Sequence, residues 1–314
     1  MTQRKINTMK QLNYIVKSIP EFLSVIHEIN EREDVCWYRG HKDARYFLTP
    51  NLYRKDNIER CDPSIADVYS LNTDRGTKGY KFVKHQKQAF EEFKKNALAF
   101  VENRPTNDFE WLVLMQHYGG DTQLLDWTIN PLISLYFSIS NIEYDARQIA
   151  QDEFGESMHD YLKNCVENNT WINAYDLENF DKSDYAVVYV INPFDVNTNA
   201  LKIQTPNLIL TSEEKYQDLV SPYLTFALNG QYYPICIEAP KNDKRTYIQG
   251  STFTLHGSII DALDWFTCNQ NLVYKIYIPN KEAVRMKEDL RKIYNITHGF
   301  VYQDLTHVIK DAYL

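Results

Sequence analysis

The sequence predicts an α+β fold, with a helical N-terminal half packed on a mixed or antiparallel sheet from the C-terminal half. Helix-spaced apolar residues concentrate before residue 140, whereas β-branched and aromatic runs concentrate after residue 185. That order does not repeat as βαβ units. With 44% hydrophobic and 14% aromatic residues in 314, the chain can bury a large core, which excludes an intrinsically disordered protein.

The elements follow in order. Residues Ile19–Asn30 place Phe22, Leu23, Ile26 and Ile29 on one helical face. Val35–Arg39 reads as a short strand ended by Gly40. Phe90, Phe93, Ala97, Phe100 and Val101 recur at helical spacing. Asn107 with Glu110 three residues on is a capping-box pattern. It opens a helix with Trp111, Leu112, Leu114, Met115 and Tyr118 on its apolar face, stopped by Gly119-Gly120. Leu124–Thr128 is strand-like. Asn130-Pro131 is an N-cap and first-turn pair for an apolar helix from Leu132 to Ser140. Strands are expected at Ala186–Ile191, Tyr233–Glu238, Ser251–Leu255 and Leu272–Ile278. An amphipathic helix is expected at Lys281–Tyr294, with Val284, Met286, Leu290 and Ile293 inward. A last strand, Gly299–Tyr302, and a terminal helix, Leu305–Tyr313, complete the pattern.

Charge is uneven. Residues 141–184 hold 11 acidic and 3 basic residues, which accounts for the net charge of −8 and leaves 31 of each sign elsewhere. This stretch reads as an acidic surface insertion, either a plain solvated face or a docking surface for an unknown protein partner. The chain divides into a motif core (20–140), the insertion (141–184) and a sheet-rich part (185–314), read as one domain over 1–314. Its negative charge argues against a general nucleic-acid clamp. No stretch reaches the ~18 uninterrupted apolar residues of a membrane span. No signal core follows the first residues, so a cytoplasmic setting is expected, with Cys36, Cys61, Cys165, Cys236 and Cys268 reduced.

Dinucleotide, P-loop, zincin and nucleophile-elbow motifs are missing, and no metal-ligand spacing occurs, so no metal is expected. Two segments instead concentrate polar groups in apolar surroundings. In Trp37-Tyr38-Arg39-Gly40-His41, an arginine at a strand end offers a planar fork suited to carboxylate or phosphate. A structural arginine bridging the core edge to an aspartate is an equally simple reading. The second segment runs from Gln116 to Thr128. His117 has a side chain that titrates near neutrality, and Asp126 can orient a histidine or pair with Arg39. Taken singly, each also reads as a capping or buried hydrogen-bonded group. Together, so many polar groups between buried helices favour a site, because they must satisfy one another.

Five blocks in order resemble the FRG domain, a bacterial family named for its Phe-Arg-Gly motif. They are Tyr38-Arg39-Gly40, Leu48-x-Pro50-x-Leu52-Tyr53-Arg54, Gln116-His117-Tyr118-Gly119, Thr122-x-Leu124-Leu125-Asp126-Trp127-Thr128 and Asn130-Pro131-Leu132-x-x-Leu135-Tyr136-Phe137. Arg245-x-x-x-Gln249-Gly250-x-x-Phe253 and Gly299-x-x-x-Gln303-Asp304-Leu305 resemble the family's C-terminal portion. Here Tyr38 stands for the eponymous Phe, Gly120-Asp121 for a hydrophobic residue and Pro, and Gln123 for an Arg.

The order of an Arg-Gly strand, an aromatic helix and a late strand with Gln or Glu is similar to that of ADP-ribosyltransferases. By that similarity Arg39 would hold NAD, and Gln249 or Glu238 would stand near the catalytic Glu, although Gln249 carries no charge. The resemblances imply an NAD-using effector of toxin or anti-phage defence systems. Arg39, His117, Asp126 and Thr128 would be catalytic, with Arg54, Gln116 and Gln249 around the ligand and Tyr118, Trp127 or Tyr136 stacked on nicotinamide. The alternative is a non-catalytic sensor holding a nucleotide or peptide in the same pocket; a metal-dependent nuclease is a weaker third reading.

Overall fold

A computed structural model describes residues 12–54, 77–101, 104–142, 184–202, 209–210, 213–227, 229–230, 232–238, 241, 243–260, 262–264 and 271–313. The acidic insertion expected at 141–184 falls outside these residues from 143 to 183. In chain order the elements are β1 (Asn13–Ile15), α1 (Ile19–Asn30), β2 (Trp37–His41), a 3₁₀ turn (Asn51–Tyr53), α2 (Thr77–Ala97), α3 (Asp108–His117), β3 (Leu124–Thr128) and α4 (Pro131–Ile139). There follow β4 (Tyr185–Ile191), α5 (Pro193–Leu201), β5 (Ile209–Leu210), α6 (Gln217–Leu224), β6 (Ile235–Glu238), α7 (Lys244–Gln249), β7 (Ser251–Leu255), β8 (Val273–Pro279), α8 (Asn280–Lys292), α9 (His298–Tyr302) and α10 (Leu305–Asp311). No helix among the described residues is long and apolar enough to cross a membrane.

The fold is α+β, built on one mixed sheet of order β1-β8-β4-β2-β3-β7-β6-β5. Its two outermost pairs, β1 with β8 and β5 with β6, are parallel; the inner pairs are antiparallel. The expected separation into a helical half and a sheet half is overturned, because β2 and β3, from the N-terminal half, form the middle of the sheet. β4 is buried along its whole length, as its unbroken apolar sequence requires of a strand covered on both faces. On one face Tyr38, Val188, Val190 and Ile276 pack under α1, α4 and α8; on the other Trp37, Val187, Tyr189 and Trp127 form a second cluster.

Local signals behave as their chemistry dictates. Asn107 Oδ1 accepts the Glu110 N–H at 3.0 Å, and the Glu110 carboxylate accepts the Thr106 N–H at 2.8 Å. Asn130 Oδ1 accepts the Leu132 N–H at 3.0 Å and opens α4. Three other expectations are corrected. Gly299–Tyr302 is a helix, because Thr297 caps it and the Asp311 carboxylate accepts the His298 and Gly299 N–H groups at 2.9 and 2.7 Å. In α8 the inward stripe is Ala283, Met286 and Leu290, while Val284 and Ile293 are exposed. α2 ends at Ala97, and Phe100 beyond it is exposed.

Gly40 does not end β2; the strand continues to His41. A Cβ at residue 40 would lie 2.0 Å from the Ser134 carbonyl oxygen and 2.7 Å from the Ser138 nitrogen. The glycine therefore lets the α4 backbone lie directly on β2. Gly250, with φ of 56°, ends α7 in the left-handed region, and its carbonyl accepts the Ile129 N–H at 3.0 Å, tying α7 to the β3–α4 turn.

Candidate functional site

The sheet opens where β2 and β3 separate. β2 pairs with β4 over five residues and β3 with β7 over five, but β2 and β3 meet only at Tyr38 and Thr128. Beyond that point the gap widens into a cavity of about 370 Å³. That volume falls within the range of small-ligand sites, ~300–1,000 Å³. The cavity is bounded by β2, β3, α3, α4, α7 and β7.

Arg39 stands in the gap. Its Nη1 donates to the Asp126 carbonyl oxygen at 2.5 Å, supplying the donor that a paired strand would otherwise present. Its Nε donates to His41 Nε2 at 2.8 Å. His41 therefore carries its proton on Nδ1, which faces the Tyr46 carbonyl oxygen at 3.2 Å. The Arg39 side chain is only 17% exposed. Burial pulls its pKa down to about 10, the Asp126 charge opposes the fall, and the Arg54 charge adds to it. His41, itself buried, is pushed down to about 3, first by burial and then by the Arg39 charge, so it is neutral. Arg39 Nη2 has no hydrogen bond among the described residues, and the residue lines the cavity.

The opposite wall is equally ordered. The Gln116 Oε1 accepts from the Thr122 hydroxyl, which fixes its Nε2 to donate to Asp126 Oδ2 at 2.8 Å. The Asp126 carboxylate lies 3.8 Å from Arg39 Nη1, an ion pair without a hydrogen bond, and is 53% exposed. His117 is half-buried; burial lowers its pKa, and the Arg245 charge pushes in the same direction. Arg245, at the start of α7, lies over the Tyr302 ring with 4.9 Å to its centroid.

Of the residues expected from sequence, Arg39, Arg54, Gln116, His117, Asp126, Trp127, Thr128 and Gln249 line this one cavity. Three of them are occupied structurally. The Thr128 hydroxyl donates to the Gln249 carbonyl oxygen and accepts the Asn130 N–H. Gln249 ends a helix rather than sitting on a late strand, and its amide donates to the Val301 carbonyl oxygen at 3.2 Å. Trp127 is 3% exposed, with its indole N–H on Thr254 Oγ1, so its ring face is not offered for stacking.

Three expected residues fall elsewhere. Tyr118 caps α3 and is 75% exposed outside the cavity. Tyr136 is turned into the core against His298; its neighbour Phe137, about 100° around α4, faces the cavity instead. Glu238 ends β6 and is not part of the lining.

The cavity also takes His41, Arg245 and Phe253, which the sequence motifs contain without a role of their own, and Lys42 and Tyr46. His41 was legible as the second residue on from Arg39, hence on the same side of the strand. Among the described residues, formal cations lining the cavity number four (Arg39, Lys42, Arg54 and Arg245) against one carboxylate, Asp126, in a chain whose net charge is −8. Among the described residues no group of three or more His, Cys, Asp or Glu side chains converges on a metal position.

Sheet and cavity together define an α+β protein with a cationic, aromatic-walled cavity where two central strands part. Residues 34–147 match the family model of the FRG domain. The match spans Arg39, Arg54, Gln116, His117, Asp126 and Phe137, whereas Arg245 and Gln249 reach the cavity from beyond it. No curated protein and no solved structure matches the chain.

Proposed function

We propose that this chain binds a phosphate-bearing nucleotide in the cavity between β2 and β3, with NAD as the leading candidate. The observation that carries the reading is Arg39, a largely buried guanidinium whose Nη2 has no hydrogen bond among the described residues and which lines a cavity together with Lys42, Arg54 and Arg245. Like charges repel, and drawing them together costs energy that an anion repays. Phosphate oxygens match the guanidinium fork, and a phosphate neutralises several cations at once. Phe137, Tyr46 and Val113 supply apolar wall for a base.

Thermal unfolding with and without NAD or pyrophosphate tests this. A ligand that binds only the native state at a hundredfold excess over Kd stabilises by ~2.7 kcal/mol. The expected result is a clear rise in Tm that Arg39→Ala removes. No rise with any phosphate compound, or an equal rise in Arg39→Ala, would remove the ground for this assignment.

A second reading is an NAD-consuming transfer of the ADP-ribosyltransferase kind, as part of toxin or anti-phage defence. One observation favours it: Asp126 brings a carboxylate to a cavity otherwise lined by cations. Such a group can oppose positive charge as the bond between ribose C1′ and nicotinamide breaks and a nucleophile takes that carbon. Against it, no glutamate among the described residues lines the cavity, and Gln249 is uncharged. Nicotinamide released from NAD by wild type and not by Asp126→Ala would support transfer; NAD recovered intact would leave the binding reading alone.

A further inference from the structure

We propose that the Asp126 carboxylate, held by Gln116, accepts the vicinal hydroxyls of a ribose, so that the cavity selects ribonucleotides over deoxyribonucleotides. This rests on the phosphate reading of the same cavity and deepens it to a ligand class. Asp126 is an odd neighbour for a phosphate site, because it repels the very ligand that the arginines attract. Nor is it spent on Arg39, whose Nη1 bonds the Asp126 backbone oxygen at 2.5 Å while the carboxylate stays 3.8 Å away. Its Oδ2 accepts from the Gln116 amide at 2.8 Å, and Oδ1 has no hydrogen bond among the described residues. Gln116 is in turn locked by the Thr122 hydroxyl, so the carboxylate is oriented before any ligand arrives.

An ionised carboxylate only accepts hydrogen bonds, so the ligand must bring donors to it. A charged ammonium donor is disfavoured, since Arg39, Lys42, Arg54 and Arg245 surround the same space. Neutral O–H groups remain. Because the carboxylate and the Arg39 guanidinium are neighbours, those hydroxyls must lie close to the anionic group of the ligand. The hydroxyls of a phosphorylated sugar meet this requirement. The apolar wall of Phe137, Val113 and Phe253 gives a base somewhere to lie, which favours a nucleotide over a bare sugar phosphate.

Calorimetric titration of the whole chain with ADP, 2′-deoxy-ADP, ribose 5-phosphate and pyrophosphate tests the assignment. Wild type should bind ADP at least about tenfold tighter than 2′-deoxy-ADP, the scale of a lost hydrogen bond to a charged acceptor. It should also bind ADP tighter than ribose 5-phosphate. Asp126→Ala should bring ADP and 2′-deoxy-ADP together and bind pyrophosphate more tightly, since a like charge is gone. Gln116→Ala, which frees the carboxylate without removing it, should narrow the preference and leave pyrophosphate binding near wild type.

Equal wild-type affinity for ADP and 2′-deoxy-ADP would overturn the inference while leaving the phosphate site standing. So would an Asp126→Ala protein, shown folded by its melting curve, that keeps the preference. Ribose 5-phosphate binding as tightly as ADP would overturn the choice of a nucleotide. Failure of all four probes, pyrophosphate included, would overturn the phosphate reading and this one with it.

Discussion

Lowering the pH from 7 to 5 should destabilise this protein through two histidines before its carboxylates protonate. His41 and His256 are buried, at 6% and 0% exposure, and each is pushed down to about 3 from an ordinary value of 6.5. For both, burial is the first cause and the Arg39 charge adds to it. A depressed folded pKa means that the unfolded chain binds the proton first. The stability is therefore complete above pH 6.5 and drains away as pH falls towards the folded value. At pH 5 the unfolded histidine lies 1.5 units above the pH, so each group costs about 2 kcal/mol and the pair about 4 kcal/mol. Against a total of ~5–15 kcal/mol that is a large loss.

The carboxylates enter later: Asp43, Asp304 and Asp311 start from an ordinary value of 3.8 and are held below it. Urea midpoints at pH 7 and pH 5 measure the effect, in wild type and in a His41→Gln, His256→Gln double variant. Most of the pH 5 loss should vanish in the variant. A loss of the same size in both proteins, or His41 and His256 resonances titrating above pH 6, would refute the reasoning.

Two further outcomes follow from packing. Gly40→Ala should cost about 3 kcal/mol or more, because its Cβ would stand 2.0 Å from the Ser134 oxygen and α4 must lift off β2; an unchanged unfolding midpoint would contradict the close approach. Tyr136→Phe should be neutral or stabilise by about 1 kcal/mol, since the Tyr136 hydroxyl is buried with no hydrogen bond among the described residues; a loss above that size in a urea titration would show that the hydroxyl has a partner.

The sequence exposed what is local. Caps at Asn107 and Asn130 are read from three or four residues, and each forms as its spacing dictates. The strand at Ser251–Leu255 and the helix at Ile19–Asn30 have the expected limits, because period-two and period-3.6 patterns are written in neighbouring residues. Which strand lies beside which is not written there. The central places of β2 and β3 depend on partners more than a hundred residues away, in β4 and β7. Gly299–Tyr302 has a strand-like sequence and is a helix for a related reason: one of its N-terminal anchors is Asp311, beyond the segment itself.

The site shows the same division. Arg39, Gln116, His117 and Asp126 were recognisable as polar groups in apolar runs, and the fold brings all four to one cavity. The aromatic wall was displaced by a single residue, from Tyr136 to Phe137, because both sit in an apolar helix with little sequence asymmetry to say which side faces the core. Arg245 needed the tertiary contact with Tyr302 to be recognised as part of the site.

His41, one of the two histidines expected to make the fold acid-sensitive, also governs the candidate site. Arg39 donates through Nε to a neutral His41; once protonated, His41 offers a donor and a positive charge where an acceptor stood. The Arg39 fork is therefore held only while His41 stays neutral. Burial that costs stability at pH 5 is the same burial that keeps the imidazole an acceptor at pH 7, so that Nε is held by His41 and Nη2 keeps no hydrogen bond among the described residues. The gap between β2 and β3 requires this arrangement. With the strands paired at one position only, the Asp126 carbonyl needs a donor, and Arg39 can be that donor and still present an open edge because its guanidinium carries five N–H groups. A lysine there would have no fixed planar edge to share between the Asp126 carbonyl, His41 and a ligand. The break in the sheet, the buried neutral histidine and the open guanidinium edge are thus consequences of one another.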